Sequence, residues 1–235
     1  SSSSSSTIST LMNSLTDIII EDDYTKTNDS KKGTITVSAK ASGSKQDMLK
    51  IDYENMPNQS NSIRGQAIEI NNKLLAIYRK ISEMHICWHG KRYNELVTKF
   101  NELAPQLNLF LEAIVGEVPY MFEEIANTVS NVDIKQNVAV PQKESVQKIQ
   151  ALQVYDDVGM RYISKEVEEI NNDIMKIFQE IEDIMQEIDR TVDQIKLECD
   201  GSEEFRRQFV RLSDAFQYTI GNVESQFSKL MQQDR

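Results

Sequence analysis

The feature that most constrains this fold is an apolar stripe that occurs twice in the chain. From Ile63 to Trp88, apolar residues recur at alternating intervals of four and three, the spacing that lines one face of an α-helix. A shift of 111 residues without a gap lays Ile63 on Ile174 and the rest of the stripe on a second one. The same shift lays Gly90 on Gly201, which selects one register among the several that two helical stripes would allow. The sequence therefore predicts a tandem repeat of one helical unit.

A glycine after each stripe predicts that the chain reverses there. Glycine adopts a positive φ without a steric cost, so we expect Gly90 to end a helix of about 40 Å and to take that geometry. A second apolar periodicity follows each glycine, so each repeat is predicted to be a helix-turn-helix hairpin. Pro105 and Pro119 lie in the second helix of the first hairpin, and we expect a kink or a break near both.

Each hairpin alone has one apolar seam, which it cannot shield on both sides. Two hairpins packed together bury both seams, so the sequence predicts an all-α fold in which antiparallel hairpins form a four-helix bundle. Eight glycines and four prolines are too few turn residues for an all-β chain of this length. The predicted seam consists of Ile70, Leu74, Ile77, Ile81, Phe100, Leu107, Ile181, Met185, Ile188, Phe209 and Phe216.

Composition divides the chain into four segments. Residues 1–47 contain too little apolar surface to offset chain entropy, so we expect a mobile, mostly irregular leader, within which residues 33–39 alternate and could pair as a strand. Residues 48–133 are predicted to form the first hairpin and residues 134–152 a polar linker. Residues 153–235 are predicted to form the second, divergent hairpin, whose first helix begins between residues 153 and 164.

Charge and hydropathy exclude several classes of partner. The net charge of −11 repels phosphate backbones and anionic membrane surfaces, so neither nucleic acid nor a membrane is expected as a partner. We find no apolar run long enough to span a membrane. Residues 18–20 are followed at once by acidic residues, and neither a basic segment nor a small-residue cleavage site is present, so no signal peptide is expected.

The chain offers little for catalysis. His85 and His89 have a spacing that metal sites use, but they flank the stripe and no nearby carboxylate completes a ligand set, so we expect an exposed helix end and no metal. The acidic run from Glu166 to Asp193 is predicted to be a solvated helix face. No grouping of Ser, His and Asp, no glycine-rich phosphate loop and no paired-cysteine motif is present. We therefore predict a protein that is not an enzyme and needs no cofactor.

The two turns are the candidate recognition sites. Trp88, the only tryptophan, could close the core of the first turn or contact a partner, since tryptophan is enriched at binding hot spots. The partner contact is the favoured hypothesis. Cys87 and Cys199 are expected to stay reduced, because antiparallel packing would hold the two turns far apart. The residues predicted for turn geometry and partner recognition are Trp88, Gly90, Cys199 and Gly201.

Two stretches carry a family resemblance. Residues 48–56 (MLKIDYENM) resemble the opening of the small WXG (Trp-x-Gly) proteins of bacterial type VII secretion, and Trp88-His89-Gly90 is similar to their turn motif. The resemblance covers residues 48–133, and residues 154–235 look like a second copy with Cys199-Asp200-Gly201 in place of the motif. It implies hairpins that pair side by side, usually antiparallel, and that leave the bacterial cytoplasm without a cleaved signal peptide.

The resemblance also implies a Tyr-x-x-x-Asp/Glu export signal after the second helix. Val129 stands where the tyrosine is expected, and the end of the chain also lacks one. Tyr120 and Tyr162 have the right spacing to an acid but lie inside or at the start of predicted helices. As in the heterodimers of the family, a partner would then supply the signal.

We therefore predict a secretion substrate or an adaptor that binds a helical partner through its hairpins. The expected partner is another WXG-type protein, a secreted effector or the secretion ATPase, and the chain itself is expected to be a monomer or a weak homodimer. The alternative is a cytosolic coiled-coil scaffolding protein without an export role.

Overall fold

The computed structural model describes residues 24–29, 34–40, 46–52, 54–134, 141–156, 159–198 and 201–235, and most of them are helical, as predicted. The helices are α1 (Met56–Met84), α2 (Lys91–Leu111), α3 (Val118–Ile134), α4 (Ser164–Gln194) and α5 (Ser202–Asp234). The strands are β1 (Tyr24–Asp29), β2 (Thr34–Lys40), β3 (Gln46–Asp52), β4 (Trp88–His89), β5 (Arg161–Tyr162) and β6 (Leu197–Glu198).

A π-helical turn, Glu112–Glu117, joins α2 to α3, so the two helices run as one continuous rod. The turn lies directly before Pro119, whose missing N–H interrupts the regular hydrogen-bond pattern. The expected irregularity at this proline is therefore present. At Pro105, by contrast, α2 continues, so of the kink or break expected there the break is absent.

The helices contact one another in antiparallel pairs. Helix α1 packs most extensively on α4, where Lys73 bonds Glu180 at 2.6 Å and Lys80 lies 3.5 Å from Asp173. Helix α2 packs on α5, where the rings of Phe110 and Phe216 stack with centroids 4.0 Å apart. Helix α1 also contacts α3, and α4 contacts α5. All eleven residues of the predicted seam are buried at these contacts.

Strands flank the helices. Strands β1, β2 and β3 form an antiparallel meander, and β6 adds to its β3 edge. Within the predicted leader, residues 1–47, the structure describes β1, β2 and the first two residues of β3, and these parts are extended, because alternating β-branched residues favour extended backbone. Strand β2 does cover the stretch predicted to pair. Residues 1–23, 30–33 and 41–45 lie outside the described part of the chain.

The described part of the predicted linker, residues 141–152, is extended and is bonded to the helices. Residues 141–156, which we call the strap, contain no helix or strand and lie along α1 and α2. The strap residue Ile149 is buried in the hydrophobic core. The first helix of the second hairpin was expected to begin between residues 153 and 164, and it begins at Ser164. Among the described residues, no helix is both long and apolar enough to cross a membrane.

Candidate partner-binding site at the helical turns

The first turn is built from a short strand and a glycine. Helix α1 ends at Met84, and β4 then pairs antiparallel with β5, the segment directly before α4. The amide of Ile163 donates to the carbonyl of Cys87 at 2.9 Å, which extends this pairing. Gly90 has φ 126° and ψ −171°, a region that essentially only glycine occupies, so its predicted positive φ is confirmed.

Trp88 lies inside this turn. Its side chain is fully buried, and its indole Nε1 donates to Oδ2 of Asp234 at 2.8 Å. The rings of Tyr93 and Tyr162 meet the indole edge-on, with centroids 5.7 and 5.9 Å away. Arg92 donates to the other carboxylate oxygen of Asp234 at 2.8 Å, so the carboxylate is bonded on both sides. The last turn of α5 thus closes the first turn of the chain.

This burial disagrees with the favoured hypothesis that Trp88 contacts a partner. An indole enclosed by α5 and two tyrosines presents no surface, so in this structure it belongs to the core. Among the described residues at this end of the molecule, Ile86 (71% exposed) and Met160 (62% exposed) are exposed apolar side chains. The sequence did not reveal this, because the residue that covers the indole lies 146 positions further along the chain.

The second turn repeats the arrangement at the opposite end of the α1–α4 pair. Strand β6 pairs antiparallel with β3, the segment before α1, and Gly201 adopts a left-handed φ of 89°. Arg206 donates to the carbonyls of Val192 at 2.9 Å and Ile195 at 2.6 Å, which satisfies the end of α4. Cys199, predicted as a recognition residue, lies outside the described residues.

The strand pairings correct the equivalence that the ungapped repeat predicted. Trp88 pairs with Tyr162, and Leu197 pairs with Ile51, the residue 111 positions before Tyr162. Leu197, not Cys199, is therefore the counterpart of Trp88, a shift of two residues within the turn. Burial agrees, because Leu197 is 2% exposed whereas Ile86, its partner in the ungapped alignment, is exposed. The offset of 111 residues holds for the helices and for the two turn glycines, but not for the strand residues just before those glycines.

The first turn contains a buried cysteine and a stacked pair of histidines. Burial, followed by the carboxylate of Glu166, raises the pKa of the Cys87 thiol, and the hydrogen bond to its backbone and Arg161 only partly oppose this. The thiol is free, buried and held in its unreactive protonated form. The rings of His85 and His89 stack with centroids 4.3 Å apart. Within the described residues, no group of three or more His, Cys, Asp or Glu side chains is arranged to hold a metal ion.

A second set of polar residues, missed in the sequence, holds the strap. Asn94, Asn101 and Asn108 lie seven residues apart on α2. Each side-chain amide accepts from the N–H and donates to the carbonyl of a single strap residue. The three strap residues are Tyr155, Leu152 and Ile149, in that order, with distances between 2.6 and 3.4 Å. We call these paired bonds the asparagine ladder.

Side chains of α1 and α3 provide two more attachments. The side-chain amide of Asn71 donates to the carbonyl of Gln147 at 2.8 Å and accepts from its N–H at 3.0 Å. Arg64 donates to the carbonyl of Gln142 at 2.8 Å, while Glu123 accepts from its N–H at 2.9 Å. The signal in the sequence was the heptad spacing of asparagines, together with apolar strap residues at every third position.

The two tyrosines with the spacing of an export signal have different surroundings. Tyr162 lies in β5 and packs on Trp88, as described above. Tyr120 lies in α3, and a hydrogen bond to Glu124 raises the pKa of its phenol.

Comparison with known proteins gives no relative for either hairpin, because no family model matches the sequence and no curated protein or solved structure is similar to it.

Proposed function

We propose that this chain is a non-enzymatic binding protein of type VII secretion, either a substrate or an adaptor, in which two WXG-type hairpins are fused and act as one four-helix bundle. The observation that carries the proposal is the turn at Trp88-His89-Gly90. The motif falls at the reversal between two long helices, and its glycine has φ 126°. Because only glycine adopts this backbone conformation readily, the geometry explains why the motif ends in glycine.

The exchange of strands supports the idea of a fused pair. Strand β4 of the first turn pairs with the segment that leads into the second hairpin, and β6 of the second turn pairs with the segment that leads into the first. Such reciprocal contacts are what an isologous dimer would make if its two subunits were joined in one chain. The seam that a separate WXG-type subunit would cover is then already occupied, so a further partner must bind elsewhere.

The proposal puts that partner contact at the end of the molecule around the first turn. Ile86 and Met160 are large, apolar and mostly exposed there. Exposed apolar side chains beside a rigid turn suit a helical partner that buries its own apolar face. Because Trp88 is enclosed, its role in recognition is to fix the turn that presents its neighbours.

Secretion is the direct test of the proposal. A tagged chain is expressed in the source bacterium and in a strain that lacks the type VII ATPase, and culture supernatants are compared, with a cytosolic protein as the lysis control. We expect the chain, or an effector that co-purifies with it, in the wild-type supernatant only. Retention of both in the cells of both strains would favour the cytosolic scaffold.

A pair of variants tests where the partner binds. Ile86→Ser with Met160→Ser is expected to abolish partner pull-down without changing the melting temperature. Tyr218→Ser, at a side chain that is 76% exposed on α5, is the matched control and should retain the partner. Equal pull-down by both variants would rule out the first-turn surface.

A further inference from the structure

The strap lies in a groove between α1 and the continuous rod of α2, the π-helical turn and α3, and side chains of this groove bond its backbone. The ladder asparagines, Asn71 and the Arg64–Glu123 ion pair together bond the N–H and the carbonyl of five strap residues. All of these bonds come from groove side chains. Gly116 lets the strap pass closely, because a Cβ there would lie 3.3 Å from the carbonyl oxygen of Glu144.

The spacing of the ladder matches an extended chain. Seven residues of an α-helix rise about 10.5 Å. Three residues of extended or polyproline II backbone cover about 9–10 Å. Asparagines at a heptad spacing can therefore bond every third residue of an extended segment, as they do at residues 149, 152 and 155.

Only every third side chain of the strap packs into the groove. Val146, Ile149, Leu152 and Tyr155 pack against the core at every third position, and the ring of Tyr155 stacks on His85 with centroids 3.5 Å apart. The residues between them, such as Gln150 and Gln153, are exposed. Recognition thus requires an extended backbone with an apolar residue at every third position and little else.

We propose that this groove is a binding site for extended polypeptide, and that the strap is its built-in ligand. The partner it fits is an unfolded or extended peptide segment with apolar residues at positions i, i+3 and i+6. The strap occupies the site in cis and has to be displaced before such a segment binds in trans. This site is separate from the first-turn surface, so the two proposals can fail independently.

The test uses the full chain and a fluorescent synthetic peptide of residues 141–156 (PQKESVQKIQALQVYD). Two variants loosen the tethered strap: Ile149→Ser with Leu152→Ser, and Leu152→Pro alone, which removes one ladder N–H and leaves Ile149 in place. A tethered segment competes at an effective concentration of roughly millimolar. We therefore expect each variant to bind the peptide at least about tenfold more tightly than the wild-type chain does.

Matched controls separate groove binding from general stickiness. Adding Asn101→Ala and Asn108→Ala to a loosened variant should abolish peptide binding. A peptide N-methylated at Leu152 should bind poorly, whereas a peptide with alanine at positions 150 and 153 should bind like the parent.

Circular dichroism first establishes that at least one loosened variant folds. If neither variant folds alone, a peptide-dependent gain of helical circular dichroism replaces the binding assay. No tighter binding by folded loosened variants, or binding that ignores the asparagines and the N-methyl group, would overturn the proposal.

Discussion

The first turn is closed by an indole that donates to a carboxylate, whereas the second is closed by the smaller side chain of Leu197. Both residues are buried, and both pair with the segment before the opposite hairpin. The first turn adds Asp234 and so attaches the end of α5 to the start of the fold. At the second turn, Arg206 instead donates to the carbonyls at the end of α4. One framework thus tolerates different closures, and at the first turn the indole adds a side-chain hydrogen bond between the hairpins to the strand pairing that both turns make.

Trp88 is the position at which we expect a substitution to destabilise the fold most. Trp88→Ala should lower the free energy of unfolding by about 3–5 kcal/mol, because it leaves a large cavity and removes a partner of a buried carboxylate. Urea denaturation followed by circular dichroism measures the loss. Tyr218→Ala, an exposed control, should change stability by less than about 0.5 kcal/mol. A loss that small at Trp88 would mean that the indole is not part of the core.

The two-residue shift between the turns predicts the next largest effect. Leu197→Ala should cost about 2–4 kcal/mol, because the side chain is buried. Ile86→Ala should cost less than about 0.5 kcal/mol, although the ungapped repeat makes it the counterpart of Leu197. Similar losses for both in the same denaturation assay would restore the ungapped equivalence.

The two glycines should differ as well. Gly90→Val should cost about 1–3 kcal/mol because its φ and ψ exclude a side chain; a Cβ would make only ordinary contacts with Gly159 and Met160, the nearest 3.7 Å away. Gly201 is left-handed, a conformation that asparagine tolerates, so Gly201→Asn should cost less than about 1 kcal/mol. Gly90→Asn compares the two sites with the same side chain. Equal losses at both would remove the distinction.

The smallest effect is kinetic and concerns Cys87. In a Cys199→Ser background, a thiol label should react with Cys87 much more slowly in the folded protein than in urea, because burial raises the pKa of the thiol and excludes the reagent. Since the raised pKa keeps the thiol protonated near neutral pH, labelling should speed up as the pH rises. Rapid labelling of the folded chain at neutral pH would show that the first turn opens readily.

The helices and their glycine ends could be predicted from the sequence, because both depend on local periodicity and on backbone geometry at one residue. The burial of Trp88 could not, since it depends on Asp234 at the other end of the chain. The shift in the second turn depends on pairing with β3, which the apolar pattern of the turn does not encode. The asparagine ladder was visible as a spacing, but it gains meaning only when a second segment with a period of three lies opposite.

The second hairpin packs antiparallel on the first and closes the first turn around Trp88. Trp88 is the only tryptophan, so its fluorescence reports this contact directly. A fragment ending at residue 134 should show red-shifted, solvent-exposed emission and a broad melt, and adding a fragment of residues 141–235 should shift the emission to the blue. If the first fragment alone buries its tryptophan and melts sharply as a monomer, the second hairpin is not what closes the first turn.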